Sequence, residues 1–155
     1  MSLLSFDLET HLMSPAQPGI AAPPIVCGSM ACDAVAQGAL LSREEALTNL
    51  ARWFRNKDQV VTANGPYDMG CAAAAEPSLL RAIFEAYRDG RISDVLIRQA
   101  LIDIGRGCFL IDANGIGFKR YSLAGCVESN LGVKLEKENT WRLRYGELDG
   151  VPFTA

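Results

Sequence analysis

Leu4-Ser5-Phe6-Asp7-Leu8-Glu9-Thr10 alternates apolar and polar side chains. Period two is the mark of a strand with one buried face. Residues two apart on a strand share a face, so Asp7 and Glu9 project side by side while Phe6 and Leu8 anchor the opposite face in a core. Carboxylates held that close on a rigid element repel one another unless a cation sits between them. All-oxygen ligation favours magnesium or manganese over zinc. An isolated D-x-E is more often a solvated strand face than a site, so the pair needs company from elsewhere in the chain.

Outward from this strand the pattern is that of an α/β domain. Met13 to Pro24 holds four of the seven prolines and reads as a loop. Ile25–Cys32 and Ala39–Leu41 read as two further strands joined by a turn around Gln37-Gly38. Ser42 and Glu45 form a capping box ahead of Leu47, Leu50, Ala51 and Phe54, a helix that Asn56-Lys57-Asp58 ends. Gln59–Ala63 is a short β-branched strand. Asn64-Gly65-Pro66 then opens a helix, with Asn64 as the cap candidate.

Leu79, Leu80, Ile83, Phe84 and Tyr87 fit one apolar helical face that Gly90 closes. Ile92–Leu96 reads as a buried strand followed by a helix through Ile104. Asn114-Gly115 suggests a hairpin turn. Ser122 caps a helix carrying Leu123, Val127 and Leu131, which Gly132 stops. Three early strands followed by alternating strand and helix give a mixed sheet with helices on its faces.

At 155 residues the chain has the length of one domain. It is 49% hydrophobic and 21% charged, a soluble globular profile, and no apolar run approaches bilayer length. The stretch Met1 to Asp7 has no basic region and is no signal peptide, so a cytoplasmic location without membrane partners is expected. The five cysteines, Cys27, Cys32, Cys71, Cys108 and Cys126, form no C-x-x-C pair; reduced thiols are expected and a zinc site is not. A net charge of −3 leaves no basic footprint for nucleic acid. A protein that meets phosphate through metal ions is the exception, because its site is acidic when empty.

The second feature is Ala63-Asn64-Gly65-Pro66-Tyr67-Asp68. Asp68 falls in a first helical turn, where the helix dipole favours negative charge. Following a short strand, it belongs at the C-terminal edge of the sheet, where sites in such folds collect. Alone, it equally describes an acid that only complements the dipole.

Taken together, D-x-E-T at the end of a first strand and N-x-x-Y-D entering a later helix resemble the first two motifs of the DEDD exonucleases. Ser93-Asp94-Val95-Leu96-Ile97-Arg98, Tyr121-Ser122-Leu123-Ala124, Leu131 to Leu135 and Trp141 to Leu148 with Asp149-Gly150-Val151-Pro152 behind it resemble, in order, the proofreading 3′→5′ exonuclease domains of phage and bacterial family A DNA polymerases. The resemblance implies one ribonuclease H-like domain over residues 1–155, an α/β mixed sheet flanked by helices. It implies two Mg2+ or Mn2+ ions roughly 3.5–4 Å apart, acting on the 3′ end of single-stranded DNA. Asp7 would bridge the metals, Glu9 would hold one and orient the terminal nucleotide, and Asp68 would hold the other through water. Asn64 and Thr10 would position substrate. His11, the only histidine, either touches a terminal nucleotide beside Thr10 or has no role.

Two departures qualify what the resemblance implies. Ala63 stands where many relatives carry histidine. The family's third motif, Y-x-x-x-D or H-x-x-x-x-D, supplies a fourth carboxylate, and the sequence stops at Ala155 before it. Tyr145 and Asp149 have the spacing, but Gly146 and Gly150 spoil the helix that motif needs. The expectation is therefore a C-terminally truncated domain holding one cation rather than two, with impaired hydrolysis. Its partners would be a polymerase domain or a second copy covering exposed apolar surface. The competing readings are an inactive exonuclease-fold module that binds nucleic acid or protein, and a small DEDD-type ribonuclease. Asp94 reads as a capping acid. Lys134 to Tyr145 could track a single strand by charge and stacking, or be ordinary solvated surface.

Overall fold

A computed structural model describes residues 2–12, 22–33, 35–109, 121–135 and 144–151, the side chains of 35–37 excepted. Most of the expected 13–24 loop, the 114–115 turn and most of the 134–145 stretch lie outside them. Strands β1 (Leu3–Thr10), β2 (Ile25–Cys32) and β3 (Val35–Ser42) are followed by helix α1 (Arg43–Asn56). Then come β4 (Gln59–Thr62), α2 (Gly65–Ala75), a 3-10 turn at Pro77–Leu79, α3 (Leu80–Arg88), β5 (Ile92–Asp94) and α4 (Val95–Gly105). Helix α5 (Leu123–Leu131) and a 3-10 turn at Tyr145–Leu148 complete the described elements.

The strands form one mixed sheet in the order β3-β2-β1-β4-β5. β2 runs antiparallel to both β1 and β3, while β1, β4 and β5 run parallel. This α/β arrangement is compatible with the ribonuclease H-like architecture expected. The three parallel strands all end at one edge, and that edge receives the starts of α2 and α4.

Alternation along β1 sets the layers. Leu4, Phe6 and Leu8 are buried, whereas Asp7 and Glu9 are half-buried. Phe6 meets Trp53 of α1 edge-to-face, with ring centroids 5.6 Å apart. Leu50, Trp53 and Phe54 of α1, Met69 and Ala72 of α2 and Ile83 of α3 complete that core. Gly28 of β2 lets α1 lie close, because a Cβ there would sit 3.0 Å from the Cβ of Ala46. The capping box at Ser42 and Glu45 forms as expected, and Lys57 ends α1 in the left-handed region at φ 58°.

Several boundaries differ from the sequence reading. β3 starts at Val35, so the β2–β3 connection falls between Cys32 and Val35 rather than at Gln37-Gly38. The run Ile92–Leu96 is strand only to Asp94, whose side chain caps α4 and turns the chain into helix. On α3 the buried residues are Ile83 and Ala86, joined by Leu79 from the preceding 3-10 turn. Leu80, Phe84 and Tyr87 are exposed, because α3 seats one stripe against α1 and α2 and leaves the adjacent one outside. Asn64 makes no side-chain cap for α2 and stands instead in the left-handed region at φ 77°.

The turn from β4 into α2 is tight. Gly65 is buried against Thr62, and a Cβ added to it would collide with Thr62 Oγ1 and stand 3.3 Å from the Tyr87 hydroxyl. Gly65→Ala is expected to cost about 1–3 kcal/mol, the usual range for overpacking. Thr62→Ala in the same chain removes the colliding atom and should restore most of that loss. Urea unfolding of the two single variants and the double variant checks this; additive losses would contradict it.

Candidate active site

The C-terminal edge of the parallel strands opens into a cleft of about 500 Å³. Asp7, Glu9, Thr10 and His11 enter it from the end of β1, and Asn64, Tyr67 and Asp68 from the start of α2. Leu96, Ser122, Leu123 and Tyr145 complete much of the wall. All six residues singled out from the sequence (Asp7, Glu9, Thr10, His11, Asn64 and Asp68) therefore line one cleft.

Asp68 has the most constrained position. Gly65, Asp68, Met69 and Ala72 form the buried stripe of α2, at the spacing of a single helical face. A carboxylate thus occupies a slot that helical period reserves for an apolar side chain, and it is 2% exposed. The Leu8 amide, beyond the last β1–β4 pair at Ser5 and Val61, donates to Asp68 Oδ1 at 3.4 Å, a long bond. Among the described residues, Asp68 Oδ2 is buried without a hydrogen-bond partner.

Burial, then the negative charge of Asp7, pushes the Asp68 carboxyl up from 3.8 to about 8. The Leu8 bond opposes this, while Glu9 and Asp94 add to it. The dipole of α2 favours an anion here, but burial outweighs it. Cys27, paired across the strands with Glu9, feels the same acids: burial raises its thiol, and the charges of Glu9 and Asp7 raise it further.

The rim is held by hydrogen bonds that sequence reasoning did not foresee. The hydroxyls of Thr10 and Tyr67 share a bond of 2.7 Å. His11 Nε2 stands 3.1 Å from Asp149 Oδ2, and its backbone amide donates to the Pro24 carbonyl. That pairing fastens the Tyr145–Leu148 turn beside the cleft. Tyr145 lines the wall from a single 3-10 turn, and Asp149 faces His11 instead of lining the cleft. Asp94 caps α4, as expected, through bonds from the Leu96 and Ile97 amides.

The donor set suits a hard divalent cation: carboxylate oxygens, one of them buried and unpartnered. Among the described residues, no three His, Cys, Asp or Glu side chains are gathered closely enough to form a ready-made cage. Holding a cation there would displace the proton that Asp68 retains near neutral pH.

No protein-family model matches the chain, and no curated protein matches it.

The raised Asp68 carboxyl has a consequence for stability. Its folded value of about 8 lies above its ordinary 3.8, so between those limits the folded chain holds a proton that the unfolded chain lacks. The stability this proton contributes is complete below about pH 4 and is lost as pH rises through 8, with a slope of at most ~1.4 kcal/mol per pH unit. In metal-free buffer, Asp68→Asn should remove that slope and leave the variant more stable than the parent at pH 8.5. Urea titrations from pH 5 to pH 9 measure it; parallel curves for the two proteins would contradict the assignment.

Proposed function

We propose that this cleft is a cation-dependent phosphodiester hydrolysis site of the 3′→5′ exonuclease type, acting on the 3′ ends of single-stranded DNA. The observation that carries the reading is Asp68, a buried carboxylate with an unpartnered oxygen in a cleft it shares with Asp7 and Glu9. A net charge of −3 and an acidic cleft suit a site that meets phosphate through divalent cations. Mg2+ or Mn2+, when bound, supplies the positive charge that draws a phosphate in and eases attack by water on phosphorus.

The chain's own residues divide the remaining work. Asp7, whose charge raises the Asp68 carboxyl more than that of Glu9 does, would share a cation with Asp68. Glu9, further along β1, would hold a second cation or orient the terminal sugar. Asn64, Thr10 and Tyr67 form a polar rim that can hydrogen-bond the substrate backbone. No side chain serves as nucleophile. Among the described residues the carboxylates are not drawn into a ready-made cage, which fits weak binding and slow turnover.

Calorimetric titration with Mn2+, paired with hydrolysis of 5′-labelled single-stranded DNA and RNA, tests this. The expected result is Mn2+ binding weakened at least tenfold by Asp7→Ala, with any shortening of DNA stepwise from its 3′ end and abolished by the same substitution. RNA shortened in preference to DNA would favour a ribonuclease, and cation binding with no cleavage a nucleic-acid-binding module. No Mn2+ binding and no cleavage would defeat the reading.

A further inference from the structure

Asp94 ends β5, and its two carboxylate oxygens go to different helices. Oδ1 accepts from the amides of Leu96 at 2.8 Å and Ile97 at 3.3 Å, which caps α4. Oδ2 accepts from the amide of Gly65 at 2.8 Å, across 29 residues of sequence. Capping α4 requires only the first oxygen. The second reaches the first residue of α2, and Asp68 lies in the same helical turn.

Gly65 is confined on its other sides as well. It is buried, and its Cα faces Thr62 Oγ1 and the hydroxyl of Tyr87. The start of α2 is therefore wedged between β4, α3 and the Asp94 carboxylate. A helix start fixed in this way fixes the direction in which Asp68 leaves it. Asp94 could be mistaken for a further cation ligand, being an acid near the cleft. Its oxygens are already committed to three backbone amides, and it does not line the cleft.

We propose that Asp94 is a positioning residue: by holding the Gly65 amide it sets where Asp68 presents its free oxygen to Asp7 and Glu9. This rests on the reading of the cleft as a cation site. Outer partners that orient ligands typically change metal affinity by 10–100-fold when removed.

The test uses two variants of the full chain. Asp94→Ser keeps a short capping oxygen for α4 but cannot span to Gly65. Asp94→Asn keeps the size and the α4 cap while turning an amide donor toward the Gly65 N–H. Mn2+ affinity is read by electron paramagnetic resonance of the free ion, and folding by thermal melts in chelator. Both variants are expected to melt within a few degrees of the parent and to bind Mn2+ at least tenfold more weakly. A folded variant with parental affinity overturns the positioning role and leaves the cation site standing. A parent chain that binds no Mn2+ overturns the cation site and this role with it. Failure of both variants to fold assigns Asp94 to architecture alone and equally overturns the proposal.

Discussion

A carboxylate buried on the core-facing stripe of a helix is the constraint to which the rest of this site answers. An isolated buried charge is costly, and a protein normally neutralises or pairs it. Asp68 receives one long bond from the Leu8 amide and the favourable end of the α2 dipole, which together do not offset burial beside Asp7. The folded chain resolves the conflict by keeping a proton on Asp68. A cation would resolve it differently, because it supplies the missing partner for Oδ2 and relieves the repulsion from Asp7 at the same time.

Topology explains why these acids meet. β1, β4 and β5 are parallel, so their C-terminal ends share an edge, and each strand delivers an acid there or just beyond it. Asp7 and Glu9 come on β1 itself, Asp68 on the first turn after β4, and Asp94 at the last residue of β5. Antiparallel β2 lies on the other side of β1, and its residues are not among those lining the cleft. Asp94 differs from the others in that both its oxygens accept from backbone amides at the starts of α2 and α4.

What could be read in the sequence was local. The alternation of β1, the capping box at Ser42 and Glu45 and the end of α1 near Lys57 all depend on residues within one turn or one strand. The illegible parts depend on distant partners. Asn64 looked like a cap, but the Gly65 amide takes its acceptor from Asp94 instead. Ile92–Leu96 looked like one apolar strand, yet Asp94 inside it starts a helix. On α3 two adjacent apolar stripes were present, and only the packing against α1 and α2 selects the one holding Ile83. At the site, the placement of Asp7, Glu9 and Asp68 along one cleft was legible from strand period and helix-start placement, while among the described residues they are not drawn into one metal-binding cluster. The Thr10–Tyr67 and His11–Asp149 bonds were not, because neither residue pair is close in sequence. A signal for the burial of Asp68 did exist: it falls on the Gly65, Met69 and Ala72 stripe, which period alone could have marked.

On the proposed reading, Asp68 and Asp7 share a hard cation. A crystal grown in Mn2+ at pH 8.5, with anomalous scattering recorded at the manganese edge, addresses it most directly. The expected result is an anomalous peak in the cleft at roughly 2.1 Å from an oxygen of Asp7 and close to Asp68 Oδ2, in line with the oxygen distances of small hard cations. Manganese bound elsewhere on the chain while this cleft shows no peak, with Asp68 Oδ2 paired to a protein donor, would contradict it.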